Sequence, residues 1–211
     1  MENTLKYLLC DIGNTSYHFL DNFDSYKKEV AVFEPSTITK EIYYISVNEK
    51  ISKKVKILGN WINLADFIDM KKYYATMGID RIFAVEAVDN GVIIDAGSAI
   101  TVDVVKDSCF EGGFIYPGVK AMQKTYKNIS PALDYSFNFD LELDIMPKNS
   151  QDAISYGYLK TLYSEVMSYN LPIILTGGDA KELKKIFKDA HVNENLIFDG
   201  MKHIIKKAYK C

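Results

Sequence analysis

The chain has 211 residues, 48% of them hydrophobic and 25% charged, with a formal net charge of −3. That length allows one large domain or two halves of about 100 residues each. The near balance of charge offers no basic footprint for nucleic acid or a membrane surface. No apolar run reaches the ~18 residues of a membrane span and Met1-Glu2-Asn3-Thr4 is not a basic leader, so the chain reads as cytoplasmic.

Residues 5–11 and 16–20 predict a strand pair around Asp11-Ile12-Gly13-Asn14-Thr15-Ser16-Tyr17-His18, in which an apolar run ends in an acid and turns on small polar residues. Tyr26 to Phe33 reads as a third strand, Pro35-Ser36-Thr37 as the start of a short helical or irregular stretch, and Ile42 to Val47 as a further strand. Lys53 to Gly59 alternates like a strand closed by a glycine turn, and the lone Trp61 reads as core. Gly78 then breaks the chain, and the spacing of Ile82, Val85 and Val88 predicts a helix with Asp80 and Arg81 at its N-terminus. Asp80 is either a plain N-cap or a general base. Arg81 is the single arginine among 25 basic residues. It is either a chance survivor at the surface or a two-pronged grip on an anionic substrate.

Val92 to Asp103 repeats the earlier device: an apolar strand ends at Asp95, turns on Gly97-Ser98, and a second strand comes after. A strand-end carboxylate beside free turn amides suits a phosphate and its cation. Two copies of one unit predict a duplicated domain whose turns face each other across a cleft. A double glycine at 112–113 and Pro117-Gly118 bracket a short strand and lead into a helix from Val119 to Ile129, as ordinary turns or as a substrate-lining loop. Residues 130–148 read as irregular, a candidate flap, before a long helix running toward Tyr169 whose Ser150 either caps it or meets a ligand. Pro172 to Ala180 predicts a buried strand and a Gly-Gly turn at a helix start, where backbone amides suit a nucleotide. The tail reads as a strand, Asn195 to Phe198, and a basic helix from Met201 to Tyr209. Neither a P-loop nor a Gly-x-Gly-x-x-Gly fingerprint is present. Cys10, Cys109 and Cys211, like His18, His191 and His203, lack the spacing of a disulfide framework or a zinc site.

Asp11-Ile12-Gly13-Asn14-Thr15, Gly78-Ile79-Asp80-Arg81, Asp95-Ala96-Gly97-Ser98-Ala99-Ile100-Thr101-Val102-Asp103, Gly112-Gly113-Phe114-Ile115-Tyr116-Pro117-Gly118 and Thr176-Gly177-Gly178-Asp179-Ala180 stand in the order found in type III pantothenate kinases. The chain resembles a short member of that family. The resemblance implies an α/β, duplicated actin-like (ASKHA, ribonuclease H-like) fold with a nucleotide cleft between halves at 1–75 and 76–211. It implies ATP-dependent phosphorylation of pantothenate to 4′-phosphopantothenate, the first step toward coenzyme A. It also implies a homodimer with the substrate pocket at the interface, and a need for potassium or ammonium beside magnesium.

Carried over by position, the loop Asp11, Ile12, Gly13, Asn14, Thr15, Ser16, Tyr17 and His18 holds ATP, with Asp11 near magnesium, and Ser98 also meets ATP. The same resemblance implies Asp80 as the general base, Asp95 as the ligand of the monovalent cation, and Tyr74, Gly78, Ile79, Arg81 and Ser150 as the lining of the pantothenate site, Tyr74 being preferred to Tyr73. Ser98 departs from the family's usual threonine but keeps the hydroxyl.

Overall fold

A computed structural model describes residues 7–209, so Cys211 lies outside the described residues. The chain divides into two compact units, one running through Ala87 and resuming at Leu196, the other spanning Val88–Asn195. The division therefore differs from a split at 75/76: residues 76–87 and the C-terminal stretch belong with the N-terminal half.

In the first unit, strands β1 (Leu8–Ile12), β2 (Ser16–Asp21), β3 (Asp24–Glu29), β4 (Ile42–Ser46) and β5 (Trp61–Asn63) form one sheet in the order β3-β2-β1-β4-β5. The β1–β2 and β2–β3 pairs are antiparallel, whereas β4 runs parallel to both β1 and β5. Alternation sends Leu8, Cys10 and Ile12 into a core with Tyr17, Phe19, Ile42, Tyr44 and Trp61, as expected for Trp61. The third strand stops at Glu29 rather than Phe33, because residues 30–33 turn back onto it through the Phe33 amide, which donates to the Glu29 carbonyl at 3.0 Å.

Of the stretch expected as a strand at 53–59, residues 53–55 are instead the end of a helix, α1 (Glu49–Val55), and 56–59 form turns. Asn48 caps it by accepting from the Ile51 amide at 3.1 Å, and the buried pair Ile51 and Val55 is spaced i, i+4 with the lysines outside. The apparent alternation of Lys53, Lys54, Val55, Lys56 and Ile57 is one buried helix position among solvated lysines. Helix α2 (Ile79–Val85) comes next, short of the expected Val88.

The second unit repeats this plan. Strands β6 (Gly91–Ala96), β7 (Ala99–Lys106), β8 (Cys109–Pro117), β9 (Ile173–Thr176) and β10 (His191–Val192) stand in the order β10-β9-β6-β7-β8. In both units the first strand is central, an antiparallel hairpin and a third strand lie to one side, and two parallel strands lie to the other. This shared order is the structural form of the predicted duplication. Helices α3 (Val119–Ile129), α4 (Ser150–Ser168) and α5 (Ala180–Ile186) complete the unit. Val92, Ile94, Ala96, Ile100, Val102 and Leu175 pack against Tyr158, Leu159, Leu162 and Val166 of α4 and Leu183 and Ile186 of α5. Each of the buried Val, Ile and Leu side chains contributes about 1.5–3 kcal/mol. Residues 134–148 carry no regular element.

The final helix, α6 (Leu196–Ala208), belongs to the first unit and takes in residues 196–198 of the strand expected at 195–198. Leu196, Met201, Ile204 and Ile205 are buried along it, so the short apolar run at its start continues a helical stripe. Among the described residues no helix is long and apolar enough to cross a membrane.

Candidate active site

The first phosphate-type turn joins β1 to β2. The Gly13 amide donates to the Ser16 carbonyl at 3.0 Å, and the flanking carbonyls of Ile12 and Thr15 are held by the amides of Val47 (3.1 Å) and Val30 (2.9 Å). Asn14 and Thr15 are thereby presented at the surface of a braced turn, while Ile12 and Tyr17 fill the core and have only backbone to offer a ligand. Asp11 and His18 are direct cross-strand partners and share the opposite face. The His18 ring packs edge-on against Phe198 at 4.9 Å, and its Nε2 lies 2.7 Å from the Ser25 hydroxyl. Burial, reinforced by the charge of Lys27, pulls its pKa down to about 4.

The Gly-Ile-Asp-Arg stretch opens α2. Gly78 is the N-cap residue, with φ −60° and ψ 140°, so Asp80 is not the cap but stands in the first turn. There a carboxylate faces the positive end of the helix dipole. Its Oδ1 accepts from the Arg81 amide at 2.8 Å and occupies the space beside Gly78, where an added Cβ would come within 2.5 Å of it. Gly78 thus matters less for its backbone angles than for the room it leaves the carboxylate, which a side chain there would turn aside.

Arg81 is only 6% exposed. Its Nη1 donates to the Tyr74 hydroxyl at 2.5 Å, and the guanidinium carbon lies 5.8 Å from the Tyr74 ring centre. The Tyr73 hydroxyl donates instead to Glu86 at 2.8 Å, and burial, then that carboxylate, holds its pKa far above the usual tyrosine range. Tyr74 is thus joined to Arg81 by a hydrogen bond through its hydroxyl.

In the second unit Asp95 lies near the end of β6, with Thr101 of β7 and Thr176 of β9 as its registered neighbours. Register places the three side chains in one row on one face of the sheet. Thr176 is buried, and the buried Thr101 Oγ1 has no hydrogen-bond partner among the described residues. The turn after β9 folds over the carboxylate: Gly177 has φ +86°, and a Cβ there would meet Asp95 Oδ1 at 2.3 Å and the Ala96 carbonyl oxygen at 2.7 Å. Only glycine tolerates both the angle and that approach.

Ser98 is exposed at the tip of the β6–β7 turn, where the Gly97 amide donates to the Ala99 carbonyl at 3.0 Å and the Gly118 amide to the Ser98 carbonyl at 3.2 Å. Ser150 is the exposed first residue of α4. It does not cap that helix: Asn149 does, accepting from the Asp152 amide at 2.9 Å. Within each unit, then, the structure brings Asp80 onto Gly78, Tyr74 onto Arg81, and Thr101, Thr176 and Gly177 around Asp95. Thr101 and Thr176 stand in the sequence motifs without an evident role, because only strand register puts them beside Asp95.

Two mixed five-stranded sheets of one order, each with a braced Asp-x-Gly hairpin, define an actin-like α/β fold. A solved structure described as a 2-dehydro-3-deoxygalactonokinase from Sinorhizobium meliloti shares that fold at TM-score 0.56 and 9% identity, with 97% of each chain covered. Within that class the sequence is specific. A family model for type III pantothenate kinase matches residues 43–170. A type III pantothenate kinase from Sulfurimonas denitrificans is 59% identical over 204 residues, covering 97% of this chain and 100% of the relative. A Campylobacter jejuni crystal structure described as a Baf family transcriptional activator superposes at TM-score 0.84 with 39% identity, covering 97% of this chain and 100% of that one. The chain belongs to the type III pantothenate kinase family.

Proposed function

We infer that this chain transfers the γ-phosphoryl group of ATP to a hydroxyl of pantothenate, giving 4′-phosphopantothenate and ADP at the entry to coenzyme A synthesis, with Asp80 as the general base. The observation that carries the assignment of Asp80 is its carboxylate, held beside Gly78 at the start of α2 within the Gly-Ile-Asp-Arg stretch, in a chain matched over nearly its whole length by a named kinase.

The substrate hydroxyl oxygen bonds to the γ-phosphorus as the bond to the ADP oxygen breaks, and the hydroxyl proton passes to Asp80. Phosphoryl transfer asks the protein chiefly for position and charge neutralisation, which fits a base needed only as the proton leaves. Arg81, oriented by Tyr74, meets the pantothenate carboxylate. Gly78 and Ile79 line the same site, and Ser150, free of a capping duty, adds a hydroxyl to the substrate. The 11–18 turn and Ser98 hold the ATP phosphates.

Magnesium bound to ATP supplies charge neutralisation, and Asp11 is the carboxylate assigned to it. Hard cations on nucleotides keep several water and phosphate ligands, so one protein carboxylate suffices. Asp95 is the carboxylate assigned to a monovalent cation, potassium or ammonium, and a supporting observation is Thr101 Oγ1 in the adjacent register position, which has no hydrogen-bond partner among the described residues and is the kind of oxygen such an ion would satisfy. The enzyme acts in the cytoplasm as a homodimer whose second copy completes the pantothenate pocket.

Asp80→Asn tests the base. It should lower turnover by roughly two to four orders of magnitude while ATP affinity stays within about twofold. Near-normal turnover would remove Asp80 from the role.

A further inference from the structure

We propose that Tyr158 is a positioning residue for the ATP site, acting through the Pro117-Gly118 junction on the Ser98 turn. Tyr158 lies in the middle of α4, is 2% exposed, and donates its hydroxyl to the Pro117 carbonyl. Its ring is fixed on two sides, by Tyr116 with centroids 5.3 Å apart and by Phe137 at 4.9 Å. The hydroxyl therefore has one place to reach, and burial pushes its pKa above the ordinary tyrosine range, so it remains a donor.

The junction that it holds sits directly on the Gly97-Ser98 turn. The Gly118 amide donates to the Ser98 carbonyl, and a Cβ on Gly118 would come within 2.3 Å of that oxygen and 2.5 Å of the Gly97 carbonyl oxygen. No side chain fits between the two segments, so displacement of Pro117-Gly118 moves the turn with it. The Gly-Gly-x-Ile-x-Pro-Gly stretch thus has a use beyond ordinary turns: it is the rigid connection between α4 and the exposed Ser98 hydroxyl. Because α4 also begins at Ser150, one buried hydroxyl joins the helix carrying a pantothenate contact to the turn carrying an ATP contact.

The inference rests on Ser98 meeting ATP, and the test separates the two. Tyr158→Phe keeps the ring and removes only the donor. Measured beside Ser98→Ala and beside Tyr163→Phe, a change on the same helix away from the junction, it should raise the KM for ATP about five- to tenfold, the size expected from one displaced hydrogen-bonding turn. The KM for pantothenate should stay within about twofold, Tm should fall by no more than a few degrees, and Tyr163→Phe should leave both KM values unchanged. If Ser98→Ala raises the KM for ATP and Tyr158→Phe does not, the positioning role is wrong. If neither does, Ser98 is not an ATP contact and the proposal falls with it. Loss of Tm with both KM values preserved would show a purely structural hydroxyl and would equally overturn it.

Discussion

At the scale of single residues, two side chains owe their properties to a neighbour that sequence spacing does not reveal. Asp80 has its orientation from Gly78, whose missing side chain is the space the carboxylate fills. Gly78→Ala should therefore fold, since the backbone angles at 78 suit any residue. It should nevertheless lower kcat by at least about tenfold by turning the carboxylate aside; steady-state kinetics and a melting curve on the same preparation separate the two effects. His18 owes its low pKa to burial against Phe198 and to Lys27. The folded state keeps it neutral down to about pH 4, whereas the unfolded chain takes up a proton near pH 6.5. Between those values the unfolded state holds more protons, so the His18 contribution is intact above pH 6.5 and is lost as pH falls toward 4. Denaturant titrations of the wild type and His18→Gln from pH 7 to 4 should show a shallower decline in the variant.

At the scale of elements, the hairpins were legible because acid, glycine and small polar residues mark the turn while apolar runs, β-branched only in the second copy, mark the strands: β1–β2 and β6–β7 fall where Asp11 and Asp95 predict them. Helix α1 was not, since four of the five residues from Lys53 to Ile57 imitate alternation and the deciding cap, Asn48, lies outside that stretch. The start of α6 is ambiguous for a related reason: four residues such as Asn195 to Phe198 are too few to distinguish a strand from the first turn of a buried helix. The candidate site divides along the same line. Residues that sit in one motif, such as Asp80 and Arg81, could be named from the chain, whereas Thr101, Thr176 and Tyr158 gain their place only from strand register and helix packing. The Asp95 row makes its own prediction. Thr101→Val conserves shape and removes the unpartnered oxygen. If that oxygen serves a monovalent cation, the potassium concentration giving half of the maximal thermal stabilisation should rise about tenfold in the variant, while an unchanged potassium response would exclude Thr101 from the site.

At the scale of the whole molecule, the two units share one strand order and differ in the helices and loops attached to it. The first adds short helices and receives α6; the second carries α3, the irregular 134–148 segment and the long α4 between its hairpin and its parallel strands. The expected boundary after residue 75 differs from this division because chain order is silent about a C-terminal helix that returns to the first unit. Family membership extends over nearly the entire chain, which makes the substrate the central claim. The most direct test is ADP release by the purified protein with ATP and magnesium, with and without pantothenate, in potassium, ammonium or sodium. ADP release that requires pantothenate and is faster in potassium or ammonium than in sodium is the predicted result. A folded protein that releases no ADP with pantothenate under any of these ions would contradict the account and point to another phosphoryl acceptor or to a regulatory binding module on a kinase fold.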